Sequence, residues 1–285
     1  MVVLPDPKKP CKTVIGILLN SIIGLVMWCI LRIIQEATMK LKFIHKEKIA
    51  RDSWELMFEK PDGFVYEPGQ YLEINLKHPK VDSRGIKRWF TMSSSPTEGD
   101  IMLTTRIVEK HSSFKQAMIS LEPADEIEAI GPQGNFLLPS DTDKPIVWIA
   151  GGIGITPFRS QLKFLLDNQQ LDRDITLIYS NRTEQDICFG DLWSSAVKQM
   201  PKFNIVMTLV DDIPESWTGE TGLVDEAMIM RAVGADRAVS SMAFYVSGPE
   251  PMVEAFAPKL VAMGVAEADI KQDWFPNYTD EFFKV

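Results

Sequence analysis

Ile146-Val147-Trp148-Ile149-Ala150-Gly151-Gly152-Ile153-Gly154-Ile155-Thr156-Pro157 decides the fold. A short apolar run, the length of a buried strand, ends in clustered glycines, and Thr156-Pro157 stand where a helix would begin. Glycines at such a turn let a ligand approach the backbone, and the helix N-terminus behind them offers N–H groups to a phosphate. Pro157 suits a first helical turn, where its missing N–H costs nothing. The pattern G-G-x-G-x-T-P is not the usual dinucleotide fingerprint, because Phe158 stands where the last Gly or Ala would be. A tight turn without a ligand accounts for the glycines equally well at this point.

The texture on either side of this loop differs. Downstream, apolar strands at Ile146–Ala150, Ile175–Tyr179, Phe203–Leu209 and Ala243–Val246 alternate with helical stretches at Pro157–Asp167, Phe189–Gln199, Asp225–Val233 and Pro251–Met263. That alternation predicts a parallel sheet with helices on its faces. Upstream, from Met39 to about Pro139, short alternating segments (Leu41–Ile44, Trp54–Phe58, Tyr71–Leu76, Arg88–Ser93, Ile101–Val108, Asp125–Ile130) are punctuated by Pro61-Asp62-Gly63 and Pro68-Gly69. Antiparallel strands at this spacing predict a small barrel or sandwich, with one helix from Ser113 to about Leu121. The boundary is expected near 138–144, giving units of 39–140 and 141–285.

The first 38 residues are of another kind. Residues 1–12 read as a tail, and Thr13 to Leu31 run without a charge. At 1.5 Å per residue the run just crosses a bilayer core of ~30 Å, so residues 13–34 are expected to be a single membrane anchor. A buried helix or a signal peptide is the alternative, although no small-x-small cleavage site follows. Residues 1–50 hold eight Lys/Arg against three Asp/Glu, whereas the remainder holds 22 against 36, within a net charge of −9. The acidic body argues against nucleic acid, and the basic residues after the anchor favour a cytoplasmic C-terminal part. Three cysteines and three histidines, none at metal-ligand spacing, predict no metal, iron–sulfur or haem site.

Two further stretches can carry chemistry. Arg88-Trp89-Phe90-Thr91-Met92-Ser93-Ser94-Ser95-Pro96 sets an arginine beside an aromatic ring and then hydroxyls, a sensible cradle for a flavin and its phosphate. Read alone, it is equally a strand entering a serine-rich turn. Ser112-Ser113 at the start of a predicted helix cap it, bind a phosphate, or do both.

In this order the motifs resemble the ferredoxin–NADP reductase family over residues 39–285. Its Arg-x-Tyr-Ser flavin motif is similar to Arg88-x-Phe90-Thr91 with Ser93–Ser95 following, and its G-x-x-T-P loop to Gly154–Pro157. Its late S-G-P turn is similar to Ser247-Gly248-Pro249 with Met252 after it, and its G-Q-Y turn to Gly69-Gln70-Tyr71. After the expected N-terminal transmembrane helix, the resemblance implies an antiparallel β-barrel FAD domain followed by an α/β parallel-sheet NAD(P)-binding domain. It implies Arg88, Ser112 and Ser113 on the FAD diphosphate and Phe90 against the flavin. Thr91 and Ser94 would stand at the reactive edge, with Arg106 and Ile107 continuing the wall. Gly151, Gly152, Gly154, Thr156, Pro157, Ser247, Gly248, Pro249 and Met252 would line the pyridine-nucleotide site. Ser180 and Arg182 would meet a 2′-phosphate, favouring NADPH over NADH, unless Arg182 is simply an exposed loop residue. One of Trp274, Phe275 or Tyr278 would cover the flavin. Phe90 in place of the usual Tyr, and His111 in place of a Gly, depart from the family pattern.

The implied activity is electron transfer from NAD(P)H through FAD to a separate acceptor, a ferredoxin-like or other redox protein or a quinone. A membrane quinone or ferric reductase, or a tethered flavin-binding redox sensor, is the alternative.

Overall fold

The computed structural model describes residues 38–234 and 236–275. Its first sheet is built from β1 (Thr38–Lys48), β2 (Ser53–Glu59), β3 (Tyr71–Asn75), β4 (Lys87–Thr91), β5 (Asp100–Arg106) and β6 (Glu126–Gln133). The strands run antiparallel in the order β4-β3-β6-β1-β2-β5. A single antiparallel bridge from Met92 to Leu103 joins the two edges, so the sheet curls toward a barrel. Alternation sends Leu41, Phe43, Leu56, Phe58, Leu72 and Ile74 inward, and helix α1 (Ser113–Ile119) adds Phe114 and Met118 to that core.

The second sheet contains β7 (Ile146–Gly151), β8 (Ile175–Asn181), β9 (Phe203–Leu209), β10 (Glu220–Thr221), β11 (Ala243–Pro249) and β12 (Ile270–Phe275). All of its pairings are parallel, in the order β10-β9-β8-β7-β11-β12. From β7 the chain first builds outward through β8, β9 and β10, then crosses back to lay β11 on the other side of β7. Such a reversal leaves a crevice beyond the carboxyl ends of the two strands. The loop Gly151–Pro157 and the turn Ser247–Pro249 both lie there.

Helices cover both faces. α2 (Thr156–Asp167) and α3 (Gly190–Gln199) pack on one side, and α4 (Glu226–Val233) and α5 (Glu250–Ala262) on the other. α2 has no side-chain cap at its N-terminus. Its fully buried Phe158, Leu162 and Leu165 hold it instead. Each contributes about 1.5–3 kcal/mol on burial, more than the ~1 kcal/mol a cap would add. Its other side meets the first sheet, where Gln161 Nε2 donates to Phe136 O (2.7 Å) and Thr97 Oγ1 to Asp167 Oδ2 (2.5 Å).

Among the described residues no helix is long and apolar enough to cross a membrane. The run Thr13–Leu31, expected to be an anchor, lies outside the described residues, as does Tyr278.

Candidate active site

The crevice is shaped by its glycines. A Cβ on Gly154 would meet the Ser247 carbonyl and come within 2.6 Å of Gly248 Cα, so the loop and the β11 turn touch backbone to backbone. Gly152, at φ +52°, has nothing within 4 Å of where a Cβ would stand. It faces open space. A cavity of about 560 Å³ occupies this side of the sheet, a volume typical of small-molecule sites. Gly151, Gly152, Ser180, Arg182, Gly248, Pro249 and Met252 line it, together with Ser53 and Arg106 from the first sheet. Gly154, Thr156 and Pro157 lie buried behind the wall, and Ser247 is fully buried.

Two of the lining residues to which the sequence assigns no role matter most. Asn181 is buried against the cavity, and neither its amide oxygen nor its nitrogen makes a hydrogen bond. A polar ligand would satisfy it. Asp211, just past β9, accepts a hydrogen bond from Arg182 Nε at 2.7 Å. The guanidinium expected to await a 2′-phosphate is therefore already paired, by an acid brought from the neighbouring strand.

On the barrel, the residues expected around a flavin gather about Phe114. The Arg88 guanidinium lies over its ring at 5.1 Å, and Phe90 stacks on it at 6.0 Å. Arg88 Nη1 also donates to Arg84 O at 2.7 Å. Ser112 caps α1, its hydroxyl accepting from Lys115 N (3.2 Å). Ser113 donates its amide to Asp82 Oδ2 (3.0 Å), and its hydroxyl bonds to His78 Nε2 (2.9 Å). Hydrogen bonds from Arg84 and the Ser113 amide hold Asp82 well below the usual carboxylate range. A diphosphate at Ser113 would share this end of α1 with that carboxylate. Arg106 turns elsewhere: it pairs with Asp52 at 3.1 Å and faces the crevice cavity, while Ile107 is buried.

Comparison with known proteins agrees with this division. Residues 40–137 match the oxidoreductase FAD-binding domain, and residues 148–257 match the oxidoreductase NAD-binding domain. The chain belongs to the ferredoxin–NADP reductase-type flavoprotein family. It is 30% identical over 218 residues to NADH-cytochrome b5 reductase 2 of Mycosarcoma maydis, covering 73% of this chain and 61% of that protein. It is 31% identical over 206 residues to a Na(+)-translocating NADH-quinone reductase subunit of Neisseria meningitidis, covering 69% and 50%. The chain thus spans half to about three fifths of these relatives. Among solved structures, the cytochrome b5 reductase domain of Ulva prolifera nitrate reductase has a TM-score of 0.71 at 25% identity, over 83% of this chain and 97% of that one. A ferredoxin NADP+ reductase from Neisseria gonorrhoeae with bound FAD and NADP shares the fold, with a TM-score of 0.70 at 18% identity over 83% and 98%. The chain accordingly pairs an FAD-binding with an NAD-binding domain of the oxidoreductase type.

Between its two domains lies a small polar cluster. Thr91 is buried, and its hydroxyl lies close enough to Asp273 to act on that carboxyl. Asp273 stands opposite Ser247 in the β11–β12 register and accepts from Ser247 Oγ at 3.2 Å. Burial pushes the Asp273 carboxyl up to about 6, against the opposing pull of the Ser247 and Thr91 hydroxyls. The Tyr71 hydroxyl is pushed up by burial, with the Asp273 charge adding to it. Ser94 is differently placed. Its hydroxyl bonds to Tyr66 Oη (2.9 Å) and accepts from Met102 N (2.9 Å), which commits it to the turn. Trp274 is 45% exposed on β12.

Proposed function

We propose that this reductase binds FAD along Arg88–Thr91 and Ser112–Ser113, and a nicotinamide nucleotide in the crevice at Gly151–Gly154, and passes electrons to a separate acceptor. The observation that carries the reading is the meeting of the glycine loop with Ser247–Pro249 at the reversal of strand order. There the unsatisfied Asn181 amide and the open side of Gly152 await a polar ligand, and Thr91 lies across the domain boundary. FAD held on the barrel would supply the redox chemistry that links a two-electron donor to a one-electron acceptor. The chain supplies position and charge. Arg88 would neutralise phosphate, and the Thr91 hydroxyl, beside Asp273, would hydrogen-bond the flavin edge. Ser247 and Asp273, hydrogen-bonded to each other, would close the far side. Ser94, bonded to Tyr66 and Met102, would support the turn beside the flavin edge.

The acceptor in this reading is a separate redox protein or a quinone. We place residues 13–34 in a membrane as an anchor, residues 39–140 in the FAD domain and residues 141–285 in the nucleotide domain. An anchored reductase with a cytoplasmic body can meet a membrane-bound redox protein or a quinone. The names of the two sequence relatives span both choices. Of the two nucleotides, the Arg182–Asp211 pair favours NADH.

Anaerobic titration of the purified protein with NADH, followed by candidate acceptors, tests the reading. The flavin absorbance should bleach and then return with one acceptor class. Replacing Arg88 with Ala should strip FAD from the protein; full flavin occupancy in that variant would refute the barrel assignment.

A further inference from the structure

We propose that Arg159 and Ser160 are positioning residues that set the nicotinamide loop in register with the flavin-edge turn. The inference rests on the reading above, in which Thr91, just before this turn, meets the flavin edge and Gly151–Gly154 the nicotinamide.

Arg159 and Ser160 follow Pro157 within the first turn and a half of α2, and both point away from their own domain. Arg159 Nη1 donates to Ser93 O at 3.1 Å, and Ser160 Oγ to Ser94 O at 2.6 Å. Arg159 also grips the Glu98 carboxylate with both terminal nitrogens, Nη2 to Oε1 at 2.9 Å and Nη1 to Oε2. Glu98 in turn accepts from Ser95 N at 2.6 Å. Three consecutive residues of the turn after Thr91 are thus held by two consecutive residues of one helix.

The helix begins at Thr156, three residues before Arg159, a rise of only ~4.5 Å. Its loop is locked at the other end by the backbone contact of Gly154 with Ser247 and Gly248. The path from loop to turn therefore has no flexible joint. Ser160 is fully buried and the Arg159 side chain is 12% exposed. Two-pronged charged hydrogen bonds in such a setting fix geometry better than exposed pairs do. The Arg51–Asp186 pair at 2.8 Å joins the domains away from this turn, whereas Thr97, bonded to Ser95, adds one more link from the turn to Asp167 of the same helix. Generic docking would not need the serine carbonyls.

The test uses the full-length, FAD-loaded protein and its Arg159→Ala, Arg159→Lys, Glu98→Ala and Ser160→Ala variants. Three quantities are read under anaerobic conditions: the limiting rate of flavin reduction at saturating NADH, the NADH dissociation constant, and the long-wavelength charge-transfer absorbance of the complex. In Arg159→Ala the limiting rate should fall roughly tenfold or more, as misalignment of reacting groups by about an ångström would produce. Its charge-transfer absorbance should weaken, with NADH affinity within about twofold. Arg159→Lys should restore part of both signals, and the Arg159→Ala/Glu98→Ala pair should be no slower than the worse single variant.

A lowered melting temperature with unchanged rate and absorbance would reduce the contact to domain docking and overturn the proposal. If Arg159→Ala does not fold, Ser160→Ala, which loses one hydroxyl, must still weaken the charge-transfer absorbance; no change there overturns it equally. Wild-type protein that binds no flavin, or binds it and ignores NADH, defeats the underlying site reading instead.

Discussion

At the scale of single residues, Asp273 carries a pH signature. Its carboxyl is raised to about 6, so the folded chain holds this proton more tightly than the unfolded chain, where a carboxyl titrates near 3.9. The stability it contributes is full below about pH 4 and is lost as pH rises through 6. Asp273→Asn should therefore gain stability relative to the wild type between pH 4 and 7, as read by paired thermal melts. Parallel curves would assign the titration to another group. Asp211 carries a selectivity signature. Replacing it with Ser frees Arg182 and removes a negative charge from the cavity, so the NADH-to-NADPH preference should drop on the order of tenfold, about 1.4 kcal/mol. Steady-state kcat/KM ratios for the two nucleotides measure it, and an unmoved ratio places selectivity elsewhere. Neither residue was legible as a site residue. Asp273 meets Ser247 across two strands 26 positions apart, and Asp211 meets Arg182 across 29, so each pairing depends on strand order.

At the scale of elements, the loop after β7 is the least forgiving. A methyl group on Gly154 collides with the Ser247 carbonyl, a backbone atom that cannot swing aside. Gly154→Ala should cost about 1–3 kcal/mol, the usual penalty of overpacking. Gly99→Ala, whose Cβ meets nothing within 4 Å, should stay within about 0.5 kcal/mol of the wild type. Denaturant melts of the two variants make the comparison, and equal stabilities would contradict the close approach. The element itself was readable in advance. β7 is buried at all six positions, so its apolar run is unbroken, and Thr156-Pro157 mark the helix start. β12, which carries Trp274, is a strand the residue pattern does not announce. Ile270-Lys271-Gln272-Asp273-Trp274-Phe275 is an edge strand with one neighbour, so nothing forces the hydrophobic run that central strands show.

At the scale of the whole molecule, the two-sheet order was legible because period-two alternation and strand–helix alternation leave different textures. The way the sheets dock was not, since it depends on contacts between distant residues. A chain beginning at Thr38 should retain FAD and NADH-driven bleaching yet leave the membrane fraction, whereas the full chain should require detergent. Fractionation of the two proteins decides this, and full-length protein recovered without detergent would remove the anchor. The seam between the sheets has one more property. Arg159, Ser160 and Gln161 all give hydrogen bonds to main-chain carbonyls, those of Ser93, Ser94 and Phe136. A carbonyl is present whatever side chain its residue bears. Glu98 and Thr97 apart, whose side chains bond the same helix, the barrel's half of the seam can therefore drift in sequence with little loss of grip, while the helix must keep its three donors. Tolerance to substitution along this seam is one-sided, and barrels from divergent relatives should graft onto this helix more readily than the reverse.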